Sequence, residues 1–436
     1  MNWLLTGLVV LSGLALGGML FQQLVVEGGL GPAALAAVLV LAALFLALLA
    51  TLLLSRTRHR ELVGKLWLAF LSTAIAYAVI DVVAGKLLIE PLSPPLVPDR
   101  YRHHRLVPDS HAEFRQPDFH YIQRVNNLGL RGPDTTAEKP PGTYRIVMLG
   151  DSFTMGKGVE DDQTFSALLG ASLASRVAAC GGPTIELLNG GVDSYAPILS
   201  YIQLKRDIAP LRPDLVVLNL DVSDLVQEAA YRSQAEFGEG GDIVAVPQLA
   251  PSGGAYEKIR DWTSRNLFFT RLILFHISKR LQHRELTVRD VVSEANFEIA
   301  AHTLEGDRDR TEQWAAVFDS LRRIKAYTDA QGIEFVLSVY PWGHQVNDRE
   351  WVPGRFSYMA EDAVPSERSR ETIRRMAAEA GIEVIDLFDD FKSYEGSEAL
   401  YFKYDNHWTT AGHRVVAHGL EGALWHAHFG ALCNRP

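Results

Sequence analysis

The stretch Arg145–Val159 reads RIVMLGDSFTMGKGV: an apolar run, a glycine, a serine between an aspartate and a phenylalanine, and two more glycines. The run YRIVML (144–149) has the length and β-branched content of a short buried strand. Gly150 permits a sharp turn after it, so Ser152 stands at a strand end, where an α/β sheet presents its ligand site. A serine opening the next helix has a backbone N–H free for a developing oxyanion. Gly-Asp-Ser is also ordinary turn composition, so these residues alone leave two readings, a raised nucleophile or a small polar loop residue. The loop is no phosphate cradle, because GDSFTMGKG lacks the GxxxxGK[ST] arrangement and Asp151 puts a carboxylate where phosphates would lie.

Strands and helices alternate downstream of this point. QTFSALLGASLASR (163–176) has helical spacing, IELLNGG (185–191) reads as a strand, and APILSYIQLKRD (196–207) as a helix. DLVVLNL (214–220), GIEFVLSVYP (332–341) and IEVIDLF (382–388) are three further strands, with helices at 366–381 and about 410–426. Continuous apolar runs separated by helices predict a doubly wound parallel sheet of about five strands in a three-layer α/β/α arrangement. The interval from about 226 to 333 reads as an insertion that covers the site or, equally, as a packed side element of this domain, which spans 144–436. Residues 89–143 read as linker and preamble, because IEPLSPPLVPDRYRHHR is too rich in proline to continue a helix.

The front of the chain differs in kind. Met1–Val26 and Leu30–Ser55 contain no charged side chain, and Leu66–Leu88 holds only Asp81 and Lys86. Each is long enough to cross a bilayer, which takes about 20 apolar residues, so three transmembrane helices are expected at about 4–26, 31–55 and 66–88. The first lacks the positive flank of a cleaved signal peptide. SRTRHRELVGK, between the second and third, carries four basic residues against Glu61 and is expected to stay in the cytoplasm. That orientation predicts a multi-pass plasma (inner) membrane protein whose large domain is extracytoplasmic. Asp81, near the outer end, reads as a solvated or Lys86-paired group. The first 88 residues carry five basic and three acidic side chains, so a whole-chain charge of −10 leaves −12 on the rest. An acidic outer domain excludes nucleic acid as a partner, since Lys and Arg drive phosphate binding. Cys180 and Cys433, the only cysteines, either pair in an oxidising compartment or remain packed thiols.

A nucleophilic serine requires a histidine to take its proton and a carboxylate to orient that histidine. YFKYDNHWTTAGH (401–413) lies between the last strand and last helix, and in extended backbone Asp405 and His407 share a side. Trp342 and His344 close the fourth strand and are expected near the site, as an apolar wall or a ligand contact. The remaining histidines lack metal-ligand spacing, so neither a metal nor a cofactor is expected.

From about Asn126 onward, over about the last 300 residues, the chain resembles the SGNH (GDSL-type) hydrolase superfamily, with GDSFT as first block and DNHW as last. The resemblance implies Ser152 as nucleophile, His407 as base and Asp405 as its orienting carboxylate. Gly191 in LNGGVDSY matches the second-block glycine, implying an oxyanion N–H donor. The third block, usually GxND, reads DVSD here, so Ser223 stands where an asparagine would donate. The last block is shorter than the usual DxxH, and its D-x-H-W form resembles the alginate and peptidoglycan O-acetyltransferase branch. That implies a glycan or lipid-linked sugar ester as substrate, water or a sugar hydroxyl as acceptor, and a membrane acyl-donor protein as partner. A catalytically silent scaffold of an envelope polysaccharide complex is the alternative.

Overall fold

A computed structural model of the chain describes residues 60–88, 96–248, 266–270, 294–306 and 311–433. Two units separate, one of residues 1–89 with 266–271 and one of 90–265 with 272–436. The first contains helix α1 (Arg60–Leu88), whose segment Trp67–Lys86 is long and apolar enough to cross a membrane. Leu68, Phe70, Leu71, Ile75, Val79, Ile80 and Val83 all lie exposed on it. The two spans expected at 4–26 and 31–55 lie outside the described residues. The expectation for Asp81 is corrected: it is neither solvated nor paired with Lys86. It is buried and accepts from the Phe269 N–H (2.5 Å), the Thr270 N–H (3.2 Å) and the Thr270 hydroxyl (2.5 Å). Two backbone N–H groups and a hydroxyl thus satisfy a carboxylate that would otherwise be orphaned on an apolar helix.

The second unit opens with two antiparallel hairpins, β1 (Leu96–Pro98) with β2 (His104–Leu106) and β3 (Ser110–Arg115) with β4 (His120–Val125). Then follow β5 (Thr143–Leu149), α2 (Ser152–Met155), α3 (Phe165–Ala179), β6 (Thr184–Asn189), α4 (Pro197–Gln203), β7 (Leu215–Leu220) and α5 (Ser223–Arg232). After a hairpin of β8 (Glu236–Phe237) and β9 (Ile243–Ala245) come α6 (Glu294–Ala301), α7 (Thr311–Gln331), β10 (Glu334–Val339), α8 (Arg368–Glu379), β11 (Glu383–Asp386) and α9 (Thr410–Leu424). Five strands form one sheet in the order β11-β10-β7-β5-β6, every pairing parallel. The chain therefore starts in the sheet interior and winds outward in both directions. The order reverses between β5 and β7, and the crevice at that reversal is where such sheets bind ligands.

Strand alternation separates two cores. Val147, Leu149, Leu218 and Leu337 point to one face and pack with Ile198, Ile202, Phe318 and Ile373 of α4, α7 and α8. Ile146, Met148, Val217 and Val336 point to the other and pack with Phe165, Leu169, Val416 and Leu420 of α3 and α9. Each fully buried Leu, Ile, Phe or Val contributes about 1.5–3 kcal/mol, so the sandwich is held from both sides. The expected insertion is narrower than 226–333. Its start lies within α5, and its end is α7, whose Trp314, Val317, Phe318 and Leu321 are core residues of the crossover into β10. The long interval concealed this helix, because its apolar stripe sits next to stretches without periodicity.

Cys180, at the end of α3, is disulfide-bonded to Cys433, with their Cα atoms 5.3 Å apart at a sequence separation of 253. A bridge closing so long a loop restricts the unfolded chain strongly. Its reduction is expected to lower unfolding free energy by about 2–4 kcal/mol. The measurement is the denaturant midpoint by tryptophan fluorescence with and without dithiothreitol, and an unchanged midpoint would contradict the expectation.

Candidate active site

Ser152 is positioned by the turn that follows β5. Gly150 adopts φ +142°, and a Cβ there would lie 2.3 Å from the Thr154 hydroxyl oxygen and 3.0 Å from the Asn219 carbonyl oxygen, so only glycine fits. Asp151 caps α2, its carboxyl accepting from the Phe153 N–H at 2.9 Å. Ser152 is thereby the first residue of a helical turn, and among the described residues none accepts from its backbone N–H.

His407 Nε2 lies 2.7 Å from Ser152 Oγ, and its Nδ1 is hydrogen-bonded to Asp405 Oδ1. An ionised Asp405 only accepts, so Nδ1 carries the proton, and the bare Nε2 accepts from the serine hydroxyl. Burial pushes the Asp405 carboxyl up, but the adjoining His407 and its backbone N–H outweigh it and hold the group well below the usual carboxylate range. The imidazole lies against Phe153, ring centroids 4.6 Å apart, and Trp408 packs on both Phe153 (4.9 Å) and Tyr340 (4.5 Å). Trp408 is fully buried, which explains a tryptophan directly after the histidine: it forms the apolar floor beneath it.

The two expected oxyanion donors are placed differently. Gly191 reaches the Ser152 turn, but its N–H donates to Asn189 Oδ1 at 3.0 Å. Ser223 donates both its N–H (2.7 Å) and its hydroxyl (2.6 Å) to Asp221 Oδ1. In this geometry the Ser152 N–H is the donor left open, and Ser223 is turned away by the aspartate that replaces the block's glycine. Trp342 also serves Asp221, donating Nε1–H to Oδ2 at 2.9 Å. His344 is buried with Nε2 2.6 Å from the Thr303 hydroxyl, and burial pushes its pKa down to about 3. It is a neutral packing histidine rather than a ligand contact.

Three carboxyls, Asp151, Asp221 and Asp224, are buried under the turn. Burial, then the neighbouring Asp221, push the Asp151 carboxyl well up; burial, Asp221 and Asp151 do the same to Asp224.

Arg131, Asn189, Asp118 and Glu350 are site residues that the sequence reading missed. The Arg131 guanidinium donates to the carbonyl oxygens of Met155 (2.7 Å) and Val159 (2.6 Å) and to Asp161 (2.9 Å), tying down the end of the Ser152 turn. Asn189 Nδ2 donates to the Thr154 carbonyl oxygen and to Ser166 Oγ, each at 2.9 Å. Arg131 lies in VNNLGLRGPD, a turn-rich segment that gave no clear local signal. Asp118 and Glu350 gave no local signal.

Residues 148–415 match the GDSL-like lipase/acylhydrolase family. Among solved structures, the chain is similar to LAE5, an alpha/beta hydrolase enzyme from the metagenome of Lake Arreo, Spain, at 16% identity and TM-score 0.34, covering 66% of this chain and 96% of that one. It is also similar to the acetyl xylan esterase AlAXEase, at 14% identity and TM-score 0.34, over 64% of this chain and 99% of that one. A protein of the G-D-S-L family from Desulfitobacterium hafniense DCB-2 has 15% identity and TM-score 0.32, over 64% and 99%. No curated protein matches the chain in sequence.

Proposed function

The chain belongs to the GDSL-like lipase/acylhydrolase family, and on that premise we propose that it is a membrane-anchored, extracytoplasmic serine esterase or O-acyltransferase acting on an acetyl ester of a cell-envelope glycan. The observation carrying this reading is the continuous relay from Ser152 Oγ through His407 to Asp405 at the reversal point of the sheet. Ser152 attacks the ester carbonyl while His407 Nε2 takes its proton. Asp405 keeps the ring in the required tautomer and stabilises the imidazolium. The tetrahedral oxyanion meets the Ser152 N–H at the start of α2. Gly191 joins as a second donor when its N–H shifts from Asn189 to the substrate. His407 then protonates the leaving alcohol, and water or a sugar hydroxyl resolves the acyl-enzyme. The apolar helix Trp67–Lys86, the disulfide and the basic segment 55–65 preceding that apolar stretch support the membrane and extracytoplasmic parts of the reading.

Full-length protein in detergent should release acetate from p-nitrophenyl acetate and from an acetylated polysaccharide. Adding an unacetylated glycan tests the acceptor: acetate appearing on it marks a transferase. Acetate release that ignores every added glycan would limit the activity to hydrolysis. A scaffold reading draws on one observation, the engagement of Ser223 with Asp221, and predicts no acetate release at all.

A further inference from the structure

The segment that leads into Asp405 and His407 is gripped at two successive points by carboxylates. Glu350, itself buried, accepts through Oε2 from the N–H groups of Leu400 (2.9 Å) and Tyr401 (3.0 Å). Asp118 accepts through Oδ2 from the N–H groups of Tyr404 (2.6 Å) and Asp405 (2.8 Å). Between these grips the loop closes on itself, with Phe402 N–H donating to the His407 carbonyl oxygen at 3.0 Å and Tyr401 bridged to Trp408. Asp118 sits in the turn between β3 and β4, and the next residue, Phe119, packs on Phe402 with ring centroids 5.0 Å apart.

This placement is electrostatically unfavourable for Asp118. Burial and the nearby Asp405 charge push its carboxyl up, and only the two backbone N–H groups and Lys403 oppose them. A half-buried carboxylate beside another carboxylate gives little stability, so its value lies in what the two N–H bonds fix. They fix the backbone of Asp405, and through it the imidazole that must meet Ser152. Asp118 also precedes residues 148–415, so this support comes from outside the region shared with the family.

We propose that Asp118 is a positioning residue for the Asp405–His407 pair, with Glu350 as its counterpart a few residues earlier at Leu400 and Tyr401, so that the β3–β4 hairpin is part of the catalytic apparatus. The proposal rests on the reading of Ser152, His407 and Asp405 as the reacting groups.

The test uses full-length protein, p-nitrophenyl acetate kinetics, the rate of labelling by a fluorophosphonate, and thermal unfolding. Asp118→Ala is expected to lower kcat and the labelling rate by about 10- to 100-fold, in keeping with a displacement of up to about 1 Å, with KM within about threefold. Asp118→Asn keeps an acceptor oxygen and is expected to recover kcat to within about threefold of wild type, and Glu350→Gln to behave likewise. Wild-type kcat in Asp118→Ala overturns the proposal. So does an Asp118→Ala protein that loses its cooperative unfolding transition, or an Asp118→Asn protein as slow as the alanine variant. If Ser152→Ala stays active, the underlying reading fails instead, whatever Asp118→Ala does.

Discussion

Ser152→Ala is expected to abolish fluorophosphonate labelling and to lower turnover of p-nitrophenyl acetate by about 10⁴- to 10⁶-fold, the range found when a triad member is removed. The size of the effect follows from the covalent route. Without Oγ there is no acyl-enzyme, and His407 can only assist water in the space left behind. The serine's fold contribution is small by comparison, one hydrogen bond to His407 worth about 1 kcal/mol, so the unfolding midpoint should hardly move. His407→Ala should lose nearly as much activity, and the double variant little more than either, because residues acting as one unit are not additive. Retained labelling in Ser152→Ala would end the enzyme reading at this site.

Gly191→Ala should produce the second large loss. A Cβ at this position would lie 2.2 Å from the Met155 nitrogen, 2.6 Å from the Thr154 carbonyl carbon and 2.8 Å from the Met155 Cα, all backbone atoms of the nucleophile turn. Ordinary contact begins near 3.4 Å, so β6 and α2 must part by about 1 Å, and a shift of that size costs about 10²-fold in rate. The overpacking itself should destabilise the protein by about 1–3 kcal/mol. Kinetics and denaturant unfolding measured on the same preparation separate the two effects. Gly422→Ala, in α9 with nothing within 4 Å of its Cβ, is the control and should stabilise by about 0.5–1 kcal/mol. Equal activity of the Gly191 and Gly422 variants would show that the turn and β6 are not in this contact.

The sheet was legible because its signals are local. YRIVML, DLVVLNL and GIEFVLSVYP each show their burial in their own composition, and all three are interior strands flanked by others. The helix 311–331 was hidden inside the interval read as an insertion. The flanking stretches carry no period, and only the packing of Phe318 and Leu321 on the sheet identifies it as a crossover. Asp81 was misread for a similar reason: Lys86 is near in sequence, whereas the groups that satisfy the carboxylate, Phe269 and Thr270, are 188 and 189 residues away.

Periodicity and turn chemistry along the chain thus determine a five-stranded α/β domain, an apolar front, and the placement of Ser152, Asp405 and His407 after strands. Those properties depend on neighbours within a few residues. The strand order β11-β10-β7-β5-β6, the pairing of Cys180 with Cys433, the engagement of Gly191 and Ser223, and the grip of Asp118 on Tyr404 and Asp405 were decided only by the tertiary structure. Each is a contact whose energy depends on where another element packs. Ser223 shows the difference: its residue type suits a donor, but an adjacent carboxylate buried in the same turn accepts its proton first.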